Sequence, residues 1–455
     1  MELSFHGATR EVTGSCFLLR ALDSNKKEHQ FLIDCGMFQG EHLCGGKNFE
    51  PFDFDAKQVE AVFVTHPHAD HTGRLPKLFK AGFHGPVYMT HPCIGLSKLV
   101  LEDAHHIMKE EAEKCGSSVL YELEDLLNTF DSVKGVSYHE QLEVASGISI
   151  MFHEAGHVLG SAFISVEAEG KRIVFSGDIG NDDVPILPDT EVISHADVVV
   201  CESTYGHRVH EPVSERESKL KVAIEQTLKD RSVLLIPAFS IERTQELLYA
   251  LNQILEHDLV TSCPIFLDSP MAIRATQLYR DFKEYLEFDE SILKEADRDF
   301  FSFKNLRETL TVDESKKIND TPPPKVIVAG SGMMSGGRIM HHLIRYLSDP
   351  KTTLLIIGYQ AKGTIGRKIY EGAKRVIIFG EEVRVNARTI AIGAFSAHGD
   401  MNKLTRWLHP EDGQIPQKVF LVHGDLEAQE VFATHLRHEL KTDVVIPEFQ
   451  EKYTI

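Results

Sequence analysis

The chain has 455 residues, 42% of them hydrophobic and 25% charged, with 32 Gly and 18 Pro. At about 100 to 200 residues per domain this makes two to three ordinary domains with a large core, and it excludes disorder, a collagen-like repeat and a coiled coil. The 68 acidic residues outnumber the 48 basic ones for a net charge of −20, which taken alone argues against a polyanionic partner.

No apolar run approaches the roughly 18 residues of a membrane span, and the start Met1-Glu2-Leu3-Ser4-Phe5-His6 lacks the basic and apolar regions of a secretory signal. A cytoplasmic chain with no membrane partner is expected. The 7 Cys include no C-x-x-C pair, so neither a disulfide framework nor a Cys-based zinc site is predicted. Histidine, with 24 residues, is the abundant metal-ligand type.

Along the chain, short β-branched runs each end in a polar cluster. Phe31-Leu32-Ile33 precedes Asp34, residues 61–64 precede Thr65-His66, residues 172–175 precede Ser176-Gly177-Asp178, and residues 197–200 precede Glu202. These read as buried strands with chemistry beyond their carboxyl ends, where α/β layer folds put their sites. Residues 101–133, with His105 and His106 among many acids, read as an amphipathic hairpin of helices.

From Pro212 the pattern becomes helix, strand (232–236), helix, and a further strand at 264–267 before Asp268-Ser269-Pro270, a doubly wound unit with its own sheet. A charged stretch, 282–320, is predicted helical until Pro322-Pro323-Pro324 stops it and delivers an extended chain into a strand at 325–329. Runs at 388–392 and 418–422 resume the first pattern. One domain, 1–203 and 388–455, is therefore predicted to be split by an insert at 204–387.

The densest chemistry is His66-Pro67-His68-Ala69-Asp70-His71, four potential ligands in six residues after a strand. Imidazole and carboxylate are the donors zinc prefers, and a catalytic metal keeps a position open for water. His66 and His68 alternate in an extended segment and can point to one side, while Asp70 and His71 follow on a turn and can face a second ion. His157 and Asp178 each sit in a Gly-flanked loop after an apolar run.

In the order H-x-H-x-D-H, then H, then D, these residues resemble the metallo-β-lactamase superfamily and its dinuclear hydrolases. Glu202-Ser203-Thr204-Tyr205-Gly206, Pro237-Ala238-Phe239-Ser240-x-x-Arg243-x-Gln245-Glu246, Ser331-Gly332-Met333, Phe395-Ser396-Ala397-His398 and Val422-His423-Gly424 are similar to the β-CASP branch, which acts on nucleic acids. The pattern is nearest to the nuclease subunit of the cleavage and polyadenylation specificity factor and its prokaryotic homologues. The likeness spans nearly the whole chain.

The resemblance implies an α/β fold, an αββα sandwich carrying an inserted β-CASP domain, with the active site in the cleft between them. It implies two Zn²⁺ per chain, one held by His66, His68 and His157, the other by Asp70, His71 and His423, with Asp178 bridging. Asp34 would orient the ligand loop from behind. His398, Glu202 and Asp70 form the catalytic group, with His398 as general acid and Glu202 raising its pKa and fixing its tautomer.

Such an ion pair activates water and clamps phosphodiester oxygens, and it makes the local field positive in an acidic chain. The activity implied is hydrolysis of single-stranded RNA, internally or from the 5′-end, leaving a 5′-phosphate and a 3′-hydroxyl; a homodimer is allowed. Three other activities compete with it. A DNA nuclease of the same family typically has Val where this chain has His423, a non-catalytic subunit would have lost ligands, and a small-molecule hydrolase would lack the insert.

Further substrate contacts are expected from Arg243 and from Ser331, Gly332 and Met333. Those three open a Gly-rich loop that fits neither a dinucleotide fingerprint nor a P-loop but whose amides can cradle a phosphate. Lys362, Arg367, Lys368, Lys374 and Arg375 form a basic stretch able to follow a phosphate backbone, or a solvated helix face.

Overall fold

The structure, a computed structural model, describes residues 1–39, 46–211, 215–256, 263–288, 299–358, 360–361, 363–393 and 396–455. Its contacts divide into two compact units, Met1–Asp182 with Pro188–Val209 and His398–Ile455, and Asp183–Leu187 with His210–Ala397.

The first unit is built on two seven-stranded sheets. One runs Lys452–Thr454, Glu2–Phe5, Phe17–Leu22, Glu28–Ile33, Ala61–Phe63, Val87–Thr90, Val133–Val136. The other runs Asp443–Val445, Lys418–Val422, Val198–Glu202, Lys171–Phe175, Ala162–Ala168, Ile148–Glu154, Leu142–Ala145. Alternation along each strand divides its side chains between two cores, as a pleat of period two requires. Phe17, Leu19, Phe31, Ile33 and Phe63 meet Phe152, Ile164, Phe175, Val200 and Phe420 between the sheets. Leu18 and Leu32 instead join Leu75 and Leu78 of helix Leu75–Lys80. Val199 and Leu421 pack on Leu404, Trp407, Phe432 and Leu436 from helices Met401–Trp407 and Leu426–Glu439. Helix, sheet, sheet and helix follow in that order, the four layers expected from the sequence.

In the inserted unit a six-stranded sheet runs Leu306–Glu308, Ile265–Asp268, Lys325–Ala329, Val233–Pro237, Thr353–Ile356, Arg388–Ala391, every pair parallel. Ile339, Met340 and Leu343 of helix Ile339–Tyr346 cover one face with Leu235, Ile327 and Ile356.

Three expectations change. Arg388–Ala391, read as a return to the first domain, pairs with Thr353–Ile356, so the chain re-enters the first unit at His398 rather than near 388; a short β-branched run looks alike in either sheet, and only its long-range partner distinguishes them. The charged stretch 282–320 contains an edge strand, Leu306–Glu308, and only a short helix, Val312–Lys317, because an edge tolerates a charged face; residues 289–298 lie outside the described residues. Cys115 is disulfide-bonded, although Cys16, Cys35, Cys93, Cys201 and Cys263 are free and buried. The expected hairpin of helices is His91–Cys115 and Leu123–Asp131.

Candidate metal centre

Five strands of the first unit bring their carboxyl ends to one place. Asp34 follows Glu28–Ile33, His66 follows Ala61–Phe63, Asp178 follows Lys171–Phe175, Glu202 closes Val198–Glu202, and His423 follows Lys418–Val422. The last three strands run parallel as neighbours, so their ends coincide. His68, Asp70 and His71 lie at the start of the turn Ala69–Thr72. Gly36 lets this turn close, since a Cβ there would sit 1.5 Å from the Asp70 carbonyl oxygen.

The side chains form two donor groups around one carboxylate. His66, His68, His157 and Asp178 offer donor atoms within 4.8 Å of one another, and so do Asp70, His71 and His423. Asp178 faces both: Oδ2 lies 3.4 Å from His66 Nε2 and 3.6 Å from His157 Nε2, and Oδ1 lies 3.4 Å from His71 Nε2 and from His423 Nδ1. Asp178 Oδ1 and His423 Nε2 are buried with no hydrogen-bond partner. Buried polar atoms are normally satisfied, so a carboxylate oxygen ringed by imidazoles and without a hydrogen bond fits a cation.

Titration divides the donor set: burial lowers the His71 pKa, but Asp178 and Asp34 outweigh it and raise it well above the usual histidine range, whereas His66 and His68 are lowered. Burial drives the His68 pKa down to about 4, and that of His66 well below the usual histidine range, leaving the neutral imidazoles a metal requires. Burial pushes the pKa values of Asp178 and Asp70 up, but the surrounding histidines, His423 foremost, outweigh it and keep both carboxylates ionised.

Behind the donors, Asp34 Oδ2 accepts from His71 Nδ1 at 2.7 Å and from the Thr65 hydroxyl at 2.8 Å, and Oδ1 accepts from the Thr65 amide at 2.8 Å. This presents His71 Nε2 to Asp178 in one tautomer. Asp34 and His423 have φ of +60° and +49°, a left-handed backbone that packing must hold in place. Thr65, and Thr204, whose hydroxyl lies 3.1 Å from His423 Nδ1, were given no role of their own in the sequence, although Thr204 stands in the motif at 202–206; a threonine that meets a histidine only in the fold carries no distinctive spacing.

Glu202 is fully buried and accepts from the amides of Ile179, at 2.8 Å, and Thr204, at 3.3 Å. Both its carboxylate oxygens lie 3.2 Å from His398 Nδ1. Burial opposes a charge on His398, but Glu202 and Asp178 outweigh it and raise its pKa to about 9. Asp70 and His398 keep 17% and 18% of their side-chain surface exposed, so the cluster opens to solvent on their side.

The remaining expected contacts belong to the inserted unit. Ser331, Gly332 and Met333 enter a tight turn in which the Ser331 amide donates to the Gly336 carbonyl at 3.2 Å and the Ser335 amide to Ser331 Oγ at 3.2 Å. Arg243 is 4% exposed and its Nη1 donates to Glu246 at 2.7 Å, so the expected substrate contact has no exposed guanidinium to rest on: the helix it opens turns it inward. Lys362 lies outside the described residues, and Arg367 and Arg375 are paired with Glu371 and Glu382, as on a solvated face.

Two donor groups sharing a carboxylate at the strand ends of a two-sheet sandwich define a metallo-hydrolase. Residues 24–201 match the model of the metallo-β-lactamase superfamily domain, 244–369 that of the β-CASP domain, and 382–447 that of the Zn-dependent metallo-hydrolase RNA specificity domain. Ribonuclease TTHA0252 of Thermus thermophilus is 40% identical over 433 residues, 94% of each chain. The RNase J-like protein of Methanocaldococcus jannaschii is 31% identical over 450 residues, 98% of this chain and 97% of that one. The transcription termination factor FttA of Methanosarcina mazei is 32% identical over 454 residues, 96% of this chain and 69% of that one.

The chain belongs to the β-CASP family of the metallo-β-lactamase superfamily. A crystal structure of a protein of unknown function from Enterococcus faecalis shares the fold, with a TM-score of 0.54 at 12% identity, covering 100% of this chain and 99% of that one. Among the described residues no helix is long and apolar enough to cross a membrane.

Proposed function

We propose that this chain is a cytoplasmic ribonuclease that hydrolyses single-stranded RNA with two zinc ions. His66, His68 and His157 would hold one ion, Asp70, His71 and His423 the other, and Asp178 would bridge them. The observation that carries the reading is the Asp178 carboxylate, each oxygen of which faces a different donor group. Bound ions of this kind supply an activated water and neutralise the phosphodiester. RNA is favoured because relatives covering nearly their full length are named ribonuclease and RNase J-like and because His398 and His423 lie in the segment matching the RNA specificity domain.

His398 supplies the proton. Glu202 accepts from Nδ1 and fixes the ring, so a charged imidazole keeps a proton on Nε2 at neutral pH. As water attacks phosphorus, giving up a proton to solvent, and the bond to the 3′-oxygen breaks, the His398 proton passes to the departing oxygen. Histidine leaves neutral, and the products carry a 5′-phosphate and a 3′-hydroxyl.

The test uses RNA labelled at either end, and DNA of the same sequence, with wild type and His398→Ala. We expect the variant to keep its zinc and lose RNA cleavage, with the labels reporting internal or 5′-terminal cutting. Equal cleavage of DNA would refute the RNA assignment, an active His398→Ala the acid assignment, and activity insensitive to EDTA the metal.

A further inference from the structure

Away from this centre, still within the first unit, three other side chains converge. His139 Nε2 lies 2.9 Å from both carboxylate oxygens of Glu191, and His153 Nδ1 lies 3.6 Å from Glu191 Oε2. Their donor atoms all fall within 4.8 Å of one another. We propose that His139, His153 and Glu191 form a further, structural site for a zinc-like divalent cation.

The arrangement resembles a ligand set more than a chance pair of surface salt bridges. Two ligands at about 2.0 Å in a tetrahedral site stand roughly 3.3 Å apart, and the distances to Glu191 bracket that value. They also match the 3.1 Å between His66 Nε2 and His68 Nδ1 and the 3.6 Å between His157 and Asp178, a comparison that rests on the proposed metal centre.

His153 is pre-set. Its ring stacks on Phe163 at 4.6 Å, and its Nε2 lies 2.9 Å from Ser165 Oγ. Ser165 Oγ accepts from Arg172 Nη2 at 3.2 Å and can donate to His153 Nε2, which leaves Nδ1 directed at Glu191 with a proton that a cation would displace. His139 is held with φ +64°, a conformation non-glycine residues rarely adopt, while its amide donates to the Phe152 carbonyl at 2.9 Å. Its side chain is 61% exposed, giving an ion access and leaving room for solvent to complete the coordination.

Two imidazoles and one carboxylate select zinc, cobalt or nickel over magnesium or calcium. A cation here would tie the turn after Val133–Val136, the strand Ile148–Glu154 and the segment leading to Val198–Glu202. The Glu191 amide donates to the Glu154 carbonyl at 3.0 Å, and the Ala155 carbonyl accepts from Gly180 at 2.8 Å and from the Thr190 hydroxyl at 2.9 Å. The clamp therefore braces the loop that carries His157.

The experiment compares full-length wild type with His139→Gln, Glu191→Gln and Asp178→Ala, each equilibrated with zinc, desalted and assayed for bound zinc, with crystals examined at the zinc absorption edge. Both peripheral variants should hold one zinc fewer per chain than wild type and lack an anomalous peak between these three side chains, while Asp178→Ala keeps that peak. His139 is exposed, so its variant tests the site even if Glu191→Gln misfolds. Equal zinc in wild type and the peripheral variants, with no peak at this place, overturns the proposal. Full zinc in Asp178→Ala would instead overturn the catalytic centre.

Discussion

Asp178 in the first unit and Asp268 in the inserted unit are both buried aspartates at a strand's carboxyl end, yet they are completed in opposite ways. Asp268 receives four donors: Thr309 Oγ1 at 2.6 Å and Arg338 Nη1 at 2.7 Å on one oxygen, Ser315 Oγ and His342 Nε2 at 2.7 Å on the other. Burial would raise its pKa, but His342 and Thr309 lead a set of donors that lowers it to about 2. Around Asp178 stand five imidazoles, of His66, His71, His157, His398 and His423, at 3.4 to 3.8 Å, and one carboxylate oxygen has no hydrogen bond. The protein neutralises Asp268 with its own groups; on the function proposed above, Asp178 is left to a cation. Burial of an acid is thus a poor guide to function until its donors are counted.

The sharpest way to break this contrast is to remove both charges. Asp178→Asn should abolish RNA cleavage and lower bound zinc, while the unfolding temperature of the EDTA-treated protein stays level or rises, because an uncompensated buried charge has gone. His398→Ala should cut the turnover rate by about 10² to 10⁴-fold, the usual worth of a positioned acid, with zinc content unchanged; single-turnover kinetics beside metal analysis would show it.

Asp268→Asn should leave zinc bound but cost about 3 to 5 kcal/mol, since it strands Arg338 and His342 in the interior, measurable by denaturant unfolding. Asp34→Asn keeps a residue that tolerates left-handed backbone but exchanges an acceptor for a donor opposite His71; zinc affinity should fall roughly 10 to 100-fold in a competitive chelator titration. The smallest effect is one of pH. The folded pKa of Asp268 is depressed, so its stabilisation is present above the ordinary value of 3.8 and is lost as pH falls toward about 2. Acid unfolding of wild type should show this dependence and Asp268→Asn should lack it.

Some of this contrast was legible in the sequence. The ligand run from His66 to His71 is dense enough to show itself, and the strand-end positions of Asp34, Asp178 and Glu202 follow from residue pattern. The Asp268 network was invisible, because Arg338 and His342 lie 70 and 74 residues away and no local spacing links them. The pairing of Glu202 with His398, 196 residues apart, was reached only through family likeness. His139, His153 and Glu191 went unnoticed for the same reason, each being an ordinary residue until the sheet brings them together.

The parallel pairing of Val198–Glu202 with Lys418–Val422 also bears on synthesis. A ribosome delivers the early ligands long before it delivers His398 and His423, and the strand that carries His423 into place is interior to its sheet. A half-made chain still tethered to its message therefore lacks His398 and His423, the proposed proton donor and one of the proposed ligands. On that proposal it can assemble no cutting centre against the very transcript being read.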